Sequence, residues 1–130
     1  CTDCPEVSDS KQYLFVAVGY QGIIFTSTNG ISWTSRASGT SRRLWSITYA
    51  NSAFVAVGDE GTILTSSDGT SWTSRTSGTS NHLRGVTYAN STFVAVGFKG
   101  TILITFYIDH SLGPDLWASY PIYQCIQFFS

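Results

Sequence analysis

Short apolar stretches of four to six residues recur along the chain, separated by stretches rich in Gly, Ser, Thr and Asp. β-Branched and aromatic residues dominate these stretches, as in residues 15–18 and 92–96, which favours strands. No window keeps the spacing of an amphipathic helix, and Gly, Thr and Val are poor helix formers. The pattern therefore predicts an all-β chain of short strands joined by tight turns.

The apolar stretches return with a period of 39 residues. Phe-Val-Ala-Val-Gly begins at Phe15, again at Phe54 and a third time at Phe93. Residues 15–53 and 54–92 are identical at 25 of 39 positions, so the middle of the chain is a tandem duplication.

The repeat divides the chain into three parts. The predicted segments are an amino-terminal cysteine-containing stretch (1–12), the repeat region (13–104) and a divergent, aromatic-rich end (105–130). The units within the repeat region are 15–53, 54–92 and the partial unit 93–104.

Each unit is predicted to hold four strands with loops of two to five residues. Four short antiparallel strands in about 40 residues describe a β-propeller blade, which needs neighbouring blades to cover its faces. The Val-Ala-Val stretch is expected to be an inner strand, and Trp33 and Trp72 are expected to lie near the outer strand.

The repeats resemble the sialidase-like, Asp-box type of bacterial propeller repeat. The resemblance rests on Phe-Val-Ala-Val-Gly-x-x-Gly-x-Ile, on the stretch from Ser67 to Trp72 and on Leu83-x-Gly85-Val86-x-Tyr88. It implies a propeller in which the turn residues Asn29-Gly30 and Asp68-Gly69 are structural. The turn here is one residue shorter than the usual Asp-box, and Asn29 replaces the Asp in the first copy.

The same resemblance implies no enzymatic activity. A sialidase needs an arginine cluster, a tyrosine nucleophile and an acidic partner in a central pocket, whereas Arg36, Arg75 and Arg84 lie at or near repeat positions, where scaffold roles are expected. We therefore expect a non-enzymatic protein without catalytic residues, metal or cofactor.

About 2.3 units cannot close a propeller, which usually has four to eight blades. The open flanks are expected to pair with another chain, giving a ring or a head-to-tail filament, unless the chain is a piece of a longer protein. The segment 105–130 is a divergent or frame-shifted end, a cap on the last blade, or a strand donated to a neighbour.

Composition limits the partners and suggests a location. The net charge is −1 and only 12% of residues are charged, which argues against nucleic-acid binding. No apolar run is long enough to span a membrane. Three cysteines, Cys1, Cys4 and Cys125, lie at the two ends and favour a secreted or cell-surface protein with one internal or interchain disulfide. Asn90 begins an Asn-Ser-Thr glycosylation pattern.

Loop positions that differ between copies are the candidates for ligand binding. One varying turn holds Tyr20-Gln21, Asp59-Glu60 and Phe98-Lys99, and another holds Arg42-Arg43 and Asn81-His82. The candidate site residues are Arg42, Arg43, Trp45, Asn81 and His82, and they suit an acidic or sugar ligand.

Three functions are compatible with these sequence features. The leading one is a secreted structural or adhesive module that self-assembles through blade faces, strand edges and terminal cysteines. The alternative is a lectin-like or protein-binding propeller that holds a glycan or cell-surface ligand in its variable loops. The third is a fragment of a larger propeller enzyme.

Overall fold

The computed structural model describes residues 14–105 and 126–127 as strands, turns and short 3-10 segments. Three antiparallel sheets follow one another along the chain. This all-β, propeller-like architecture confirms the fold class expected from the repeat. The amino-terminal segment and most of the carboxy-terminal one, including all three cysteines, lie outside the described residues.

Each sheet forms one blade. Blade 1 contains β1 (Phe15–Val18), β2 (Ile24–Ser27) and β3 (Thr34–Arg36). Blade 2 contains β4 (Leu44–Ala50), β5 (Ala53–Gly58), β6 (Ile63–Ser66) and β7 (Thr73–Arg75). Blade 3 contains β8 (Leu83–Ala89), β9 (Thr92–Gly97), β10 (Thr101–Thr105) and β11 (Ile126–Gln127).

The blades are out of phase with the units seen in the sequence. The Val-Ala-Val stretch of blade 2 is β5, the second strand of its sheet, and the first strand, β4, comes from the end of the preceding unit. Trp72 directly precedes the edge strand β7, as expected for a residue near the outer strand. At the repeat period, residues 5–11 correspond to β4, and they lie outside the described residues.

The last strand of blade 3 comes from the divergent end of the chain. Ile126 pairs with Ile102 and Gln127 with Thr101, in the position that β7 occupies beside β6 in blade 2. Backbone pairing does not depend on side-chain identity, so a segment that has lost the repeat still fills the fourth strand position.

The blades pack on one another through two apolar faces. We call the side of a sheet that meets the preceding blade its front face, and the side that meets the following blade its back face. The front face of blade 2 buries Ala56 and Leu64 against Val16, Val18 and Ile24 on the back face of blade 1.

The interface between blades 2 and 3 repeats this arrangement. The front-face residues Ala95 and Leu103 form one buried cluster with Val55, Val57 and Ile63 from the back face of blade 2. Alanine leaves room for the neighbouring sheet to approach closely, and the branched residues fill the space between the sheets.

Two-residue turns join the first and second strands of blades 2 and 3. Asn51 and Ser52, and likewise Asn90 and Ser91, have positive φ angles between 51° and 61°, as a type I′ turn requires. In blade 2 this turn brings Tyr49 opposite Phe54, with ring centroids 4.5 Å apart. The right-handed twist of such turns matches that of the strands.

The positive φ of Ser52 generates a prediction about stability. Glycine adopts this conformation without the steric cost of a side chain, so Ser52→Gly should stabilise the protein by about 0.5 kcal/mol after the entropy of the unfolded chain is counted. Urea unfolding followed by circular dichroism measures the difference. Ser74→Gly, in the extended strand β7, is the control and should destabilise. A loss of stability in Ser52→Gly would contradict the assigned turn.

Candidate functional site

Two sets of loops meet at one end of the blades. One set contains residues 20–22 between β1 and β2, residues 59–61 between β5 and β6, and residues 98–100 between β9 and β10. The other is the segment that precedes the first strand, and it is tied to the turns by backbone hydrogen bonds from Asp59 N–H to Arg43 O and from Phe98 N–H to His82 O, both 2.9 Å long. The variable positions of the repeat therefore share one surface.

Glycines make this close approach feasible. At Gly61, which has a φ of +75°, an added Cβ would collide with the carbonyl oxygen of Thr79. At Gly58 an added Cβ would collide with the carbonyl oxygen of Arg43. Only the missing side chain lets the loops lie directly against one another.

A β-bulge in β4 and another in β8 each direct one side chain onto this surface. In blade 2 the register shifts between Leu44 and Ser46, which leaves Trp45 as the extra residue. In blade 3 the same shift between Leu83 and Gly85 leaves Arg84 as the extra residue. Bulges reorient side chains without ending the strand pairing, so Trp45 and Arg84 are presented at corresponding places on neighbouring blades.

Aromatic rings and guanidinium groups alternate across the three blades. The guanidinium carbon of Arg43 lies 4.7 Å from the ring centroid of Tyr20 and 4.6 Å from that of Trp45. The guanidinium carbon of Arg84 lies 4.2 Å from Trp45 and 4.6 Å from Phe98. We call these five residues the stacked row.

Two cations contact the central indole of the stacked row. The guanidinium carbons of Arg43 and Arg84 both lie within cation–ring distance of Trp45, 4.6 Å and 4.2 Å from its centroid. Each contact is an attraction between a cation and the ring quadrupole, about 0.5–1 kcal/mol at an exposed site. The row thus connects blades 1, 2 and 3 and holds two cations in fixed positions.

Acidic residues of the blade 2 turn anchor this arrangement. Asp59 Oδ1 accepts a hydrogen bond of 2.6 Å from Trp45 Nε1. Glu60 pairs with Arg42, with 2.5 Å between Oε1 and Nη2. The backbone N–H of Glu60 donates to Nδ1 of His82, 2.9 Å away, and His82 in turn lies edge-on to Phe98. The turn therefore bridges blades 2 and 3.

Positive charge exceeds negative charge on this surface. Within the described part of the chain, Arg42 pairs with Glu60, while no carboxylate lies within ion-pair distance of Arg43 or Arg84. The Nε of Arg43 is buried and, among the described residues, has no hydrogen-bond partner. Lys99 is exposed on the neighbouring turn of blade 3.

A groove of about 620 Å³ runs beside the stacked row. It is lined by Tyr20, Gln21, Ser41, Arg42, Arg43, Asp59 and Glu60. This size lies within the range of sites that hold small molecules or a few residues of a peptide.

The structure brings together four of the five candidate binding residues, Arg42, Arg43, Trp45 and His82. The fifth, Asn81, uses its side-chain amide to donate to Thr101 Oγ1, 2.8 Å away, and so connects a loop to β10 within blade 3.

Sequence reasoning assigned Arg84 to the scaffold, and Tyr20 and Phe98 only to variable turns. Arg84 is nevertheless a place where the copies differ, because blade 2 has Trp45 at the same repeat position. This difference between the copies could have identified Arg84 as a candidate binding residue from the sequence. Arg36 does contact the framework, since its Nε donates to Thr26 Oγ1 at 2.9 Å.

The turn residues lie away from this surface, Asn29-Gly30 between β2 and β3 and Asp68-Gly69 between β6 and β7. Asp68 Oδ1 accepts hydrogen bonds from the backbone N–H groups of Thr70 (2.8 Å) and Ser71 (3.0 Å). Asn29 Oδ1 makes the same two contacts in blade 1. These N–H groups, Ser71 first, lower the pKa of Asp68 below its ordinary value.

The candidate glycosylation residue Asn90 is exposed in the turn between β8 and β9.

Among the described residues no three His, Cys, Asp or Glu side chains are grouped to hold a metal ion. In the same part of the chain, no helix has the length and apolarity needed to cross a membrane.

Comparison with known proteins supports the fold. No family model matches the sequence, and no curated protein matches it. The chain is similar to a solved structure titled "YCF48 bound to D1 peptide", with a TM-score of 0.63 and 18% identity. The match covers 75% of this chain and 34% of that chain, so it spans about a third of the neighbour's length. At this identity the likeness shows a propeller-like fold, and the Asp-box type stays a prediction.

The hydrogen bonds of Asp68 predict a pH dependence. The folded state favours the ionised carboxylate, so its stabilising contribution is complete above the ordinary pKa near 3.8 and is lost as the pH falls through the lowered folded value. Asp68→Asn keeps the acceptor but not the charge. The Tm of the wild type should exceed that of Asp68→Asn at pH 7, and the difference should shrink as the pH falls below 3.8.

The first copy supplies the matched control. Asn29→Asp should introduce the same pH dependence into blade 1, because Asn29 makes the same contacts. A difference in Tm between wild type and Asp68→Asn that stays constant from about pH 7 to about pH 2.5 would show that the charge contributes nothing.

Proposed function

We propose that this protein is a non-enzymatic binding propeller whose stacked row and adjoining groove hold an acidic segment of another protein. The observation that carries the proposal is that Arg43 and Arg84 both lie against the Trp45 ring, without carboxylate partners among the described residues. A guanidinium group can donate two parallel hydrogen bonds to a carboxylate. Among the described residues, no carboxylate lies within ion-pair distance of Arg43 or Arg84.

An acidic peptide fits this surface better than a glycan does. A sugar ring is held by stacking on a free aromatic face, and the Trp45 ring already contacts two guanidinium groups. Carboxylates instead meet two preorganised cations, with Lys99 nearby, so little side-chain entropy is lost on binding. The similar structure named above was determined with a peptide bound, which supports a peptide ligand for this fold.

The composition of the chain supports an extracellular or cell-surface protein, which is part of the same proposal. Three cysteines at the chain ends suit a disulfide, and a Ser- and Thr-rich surface with few charges suits a secreted adhesive module. Binding through the stacked row would then provide the adhesive contact.

Binding of a defined peptide tests the proposal. The probe is a fluorescein-labelled peptide of alternating Asp and Tyr residues, and its partner is the same peptide with Asn in place of Asp. The acidic peptide should bind more tightly, and its affinity should fall as salt rises from about 50 to about 500 mM because the attraction is Coulombic. Fluorescence anisotropy gives both values of Kd.

Variants in the stacked row locate the binding. Arg43→Gln and Arg84→Gln should each weaken binding about ten- to a hundredfold, as expected for loss of a charge-assisted hydrogen bond. Arg36→Gln removes the same charge from an outer strand and should leave the affinity unchanged. Equal binding of the two peptides, or tighter binding of neutral chitotetraose than of the acidic peptide, would overturn the proposal.

A further inference from the structure

The front face of blade 1 is apolar and open. Phe15 and Phe25 are 50% and 36% exposed, and Ala17 is exposed as well. With Trp33, Ala17 and Phe25 line a shallow hollow of about 240 Å³. The equivalent residues of blade 2, Ala56 and Leu64, are fully buried against blade 1.

The back face of blade 3 is also open. Val96 is 43% exposed, whereas its counterpart in blade 2, Val57, is completely buried. Val94 and Ile102 are partly exposed, whereas Val55 and Ile63 are completely buried. The described residues thus begin and end with faces of the kind that every internal interface buries.

These two open faces are complementary because each repeats the residues that form the internal interfaces. The back face of blade 3 repeats the back faces of blades 1 and 2, with a β-branched residue at each of the three main positions. The front face of blade 1 repeats the small alanine of blades 2 and 3, and Phe25 replaces a buried leucine. The interface between blades 2 and 3 therefore shows what the joined faces would look like.

We propose that the back face of blade 3 in one copy of the chain packs on the front face of blade 1 in a second copy. The contact is heterologous, because the two faces differ, so copies add head to tail. Two copies supply six blades, within the four to eight that close a propeller, and continued addition without closure gives a filament. The surface is separate from the stacked row, so the inference does not depend on the proposed ligand.

Mass measurements on the purified 130-residue chain test this contact. Light scattering with reductant present, over concentrations from about 1 to about 500 μM, should show assemblies of at least twice the 14.2 kDa chain mass. Reductant removes any contribution from interchain disulfides. A chain that stays monomeric throughout, as it would if other segments covered both faces, overturns the proposal.

Two variants determine which faces meet. Phe25→Lys disables the front face, and Val96→Lys disables the back face. Since each head-to-tail contact uses one of each, either variant alone should be monomeric. An equimolar mixture should form a heterodimer, because the back face of the Phe25→Lys chain and the front face of the Val96→Lys chain are intact. Both positions are exposed in the single chain, so circular dichroism should show the fold retained.

Ile31→Lys is the matched control. Ile31 is 81% exposed, and its counterpart in blade 2, Thr70, stays exposed beside the packed interface. This variant should assemble like the wild type. A Val96→Lys chain that still dimerises alone would indicate a symmetric front-to-front contact and would overturn the head-to-tail arrangement.

Discussion

Each blade of this protein carries apolar side chains on both faces of its sheet, and both faces must be covered. A sheet with one apolar face can rest on a single layer, but a blade needs a neighbour on each side. Both interfaces of blade 2 meet this requirement with the same types of residue at equivalent positions. In each interface, alanine and leucine of one sheet pack on valine and isoleucine of the other. The repeated sequence, the stacking of sheets and the open outer faces all follow from that requirement.

The surface that carries the stacked row depends on the same regularity. Backbone hydrogen bonds, bulges and turns are repeated from blade to blade, so equivalent positions arrive at the same end of the molecule. Side chains at those positions are free to differ because they lie outside the buried apolar clusters between the sheets. Trp45 and Arg84 share one backbone environment and have opposite chemical characters, and this difference creates the alternation of ring and cation.

The strands and turns were largely predictable from the 39-residue period, since a turn such as Asn90-Ser91 is encoded locally. The strand at which each blade begins was not predictable. The identical positions show the length of the repeat but not which strand comes first in a sheet. The contacts of Arg84 with Trp45 and Phe98 could not be predicted, because cation–ring contacts connect different blades and their distances depend on how sheets pack. Asn81 was a reasonable candidate by variability, yet its amide found a partner in β10 that no local pattern indicates.

The pairing of β10 with β11 also constrains the order in which the chain folds during synthesis. Blade 2 has all four of its strands once residue 75 has left the ribosome, while blade 3 waits for residues 126 and 127. During that interval the free edge of β10 is available to any other strand. Blade 3 is thus completed by a pair of residues 24 positions apart, 102 and 126, whereas residues 63 and 75 of blade 2 pair over 12 positions.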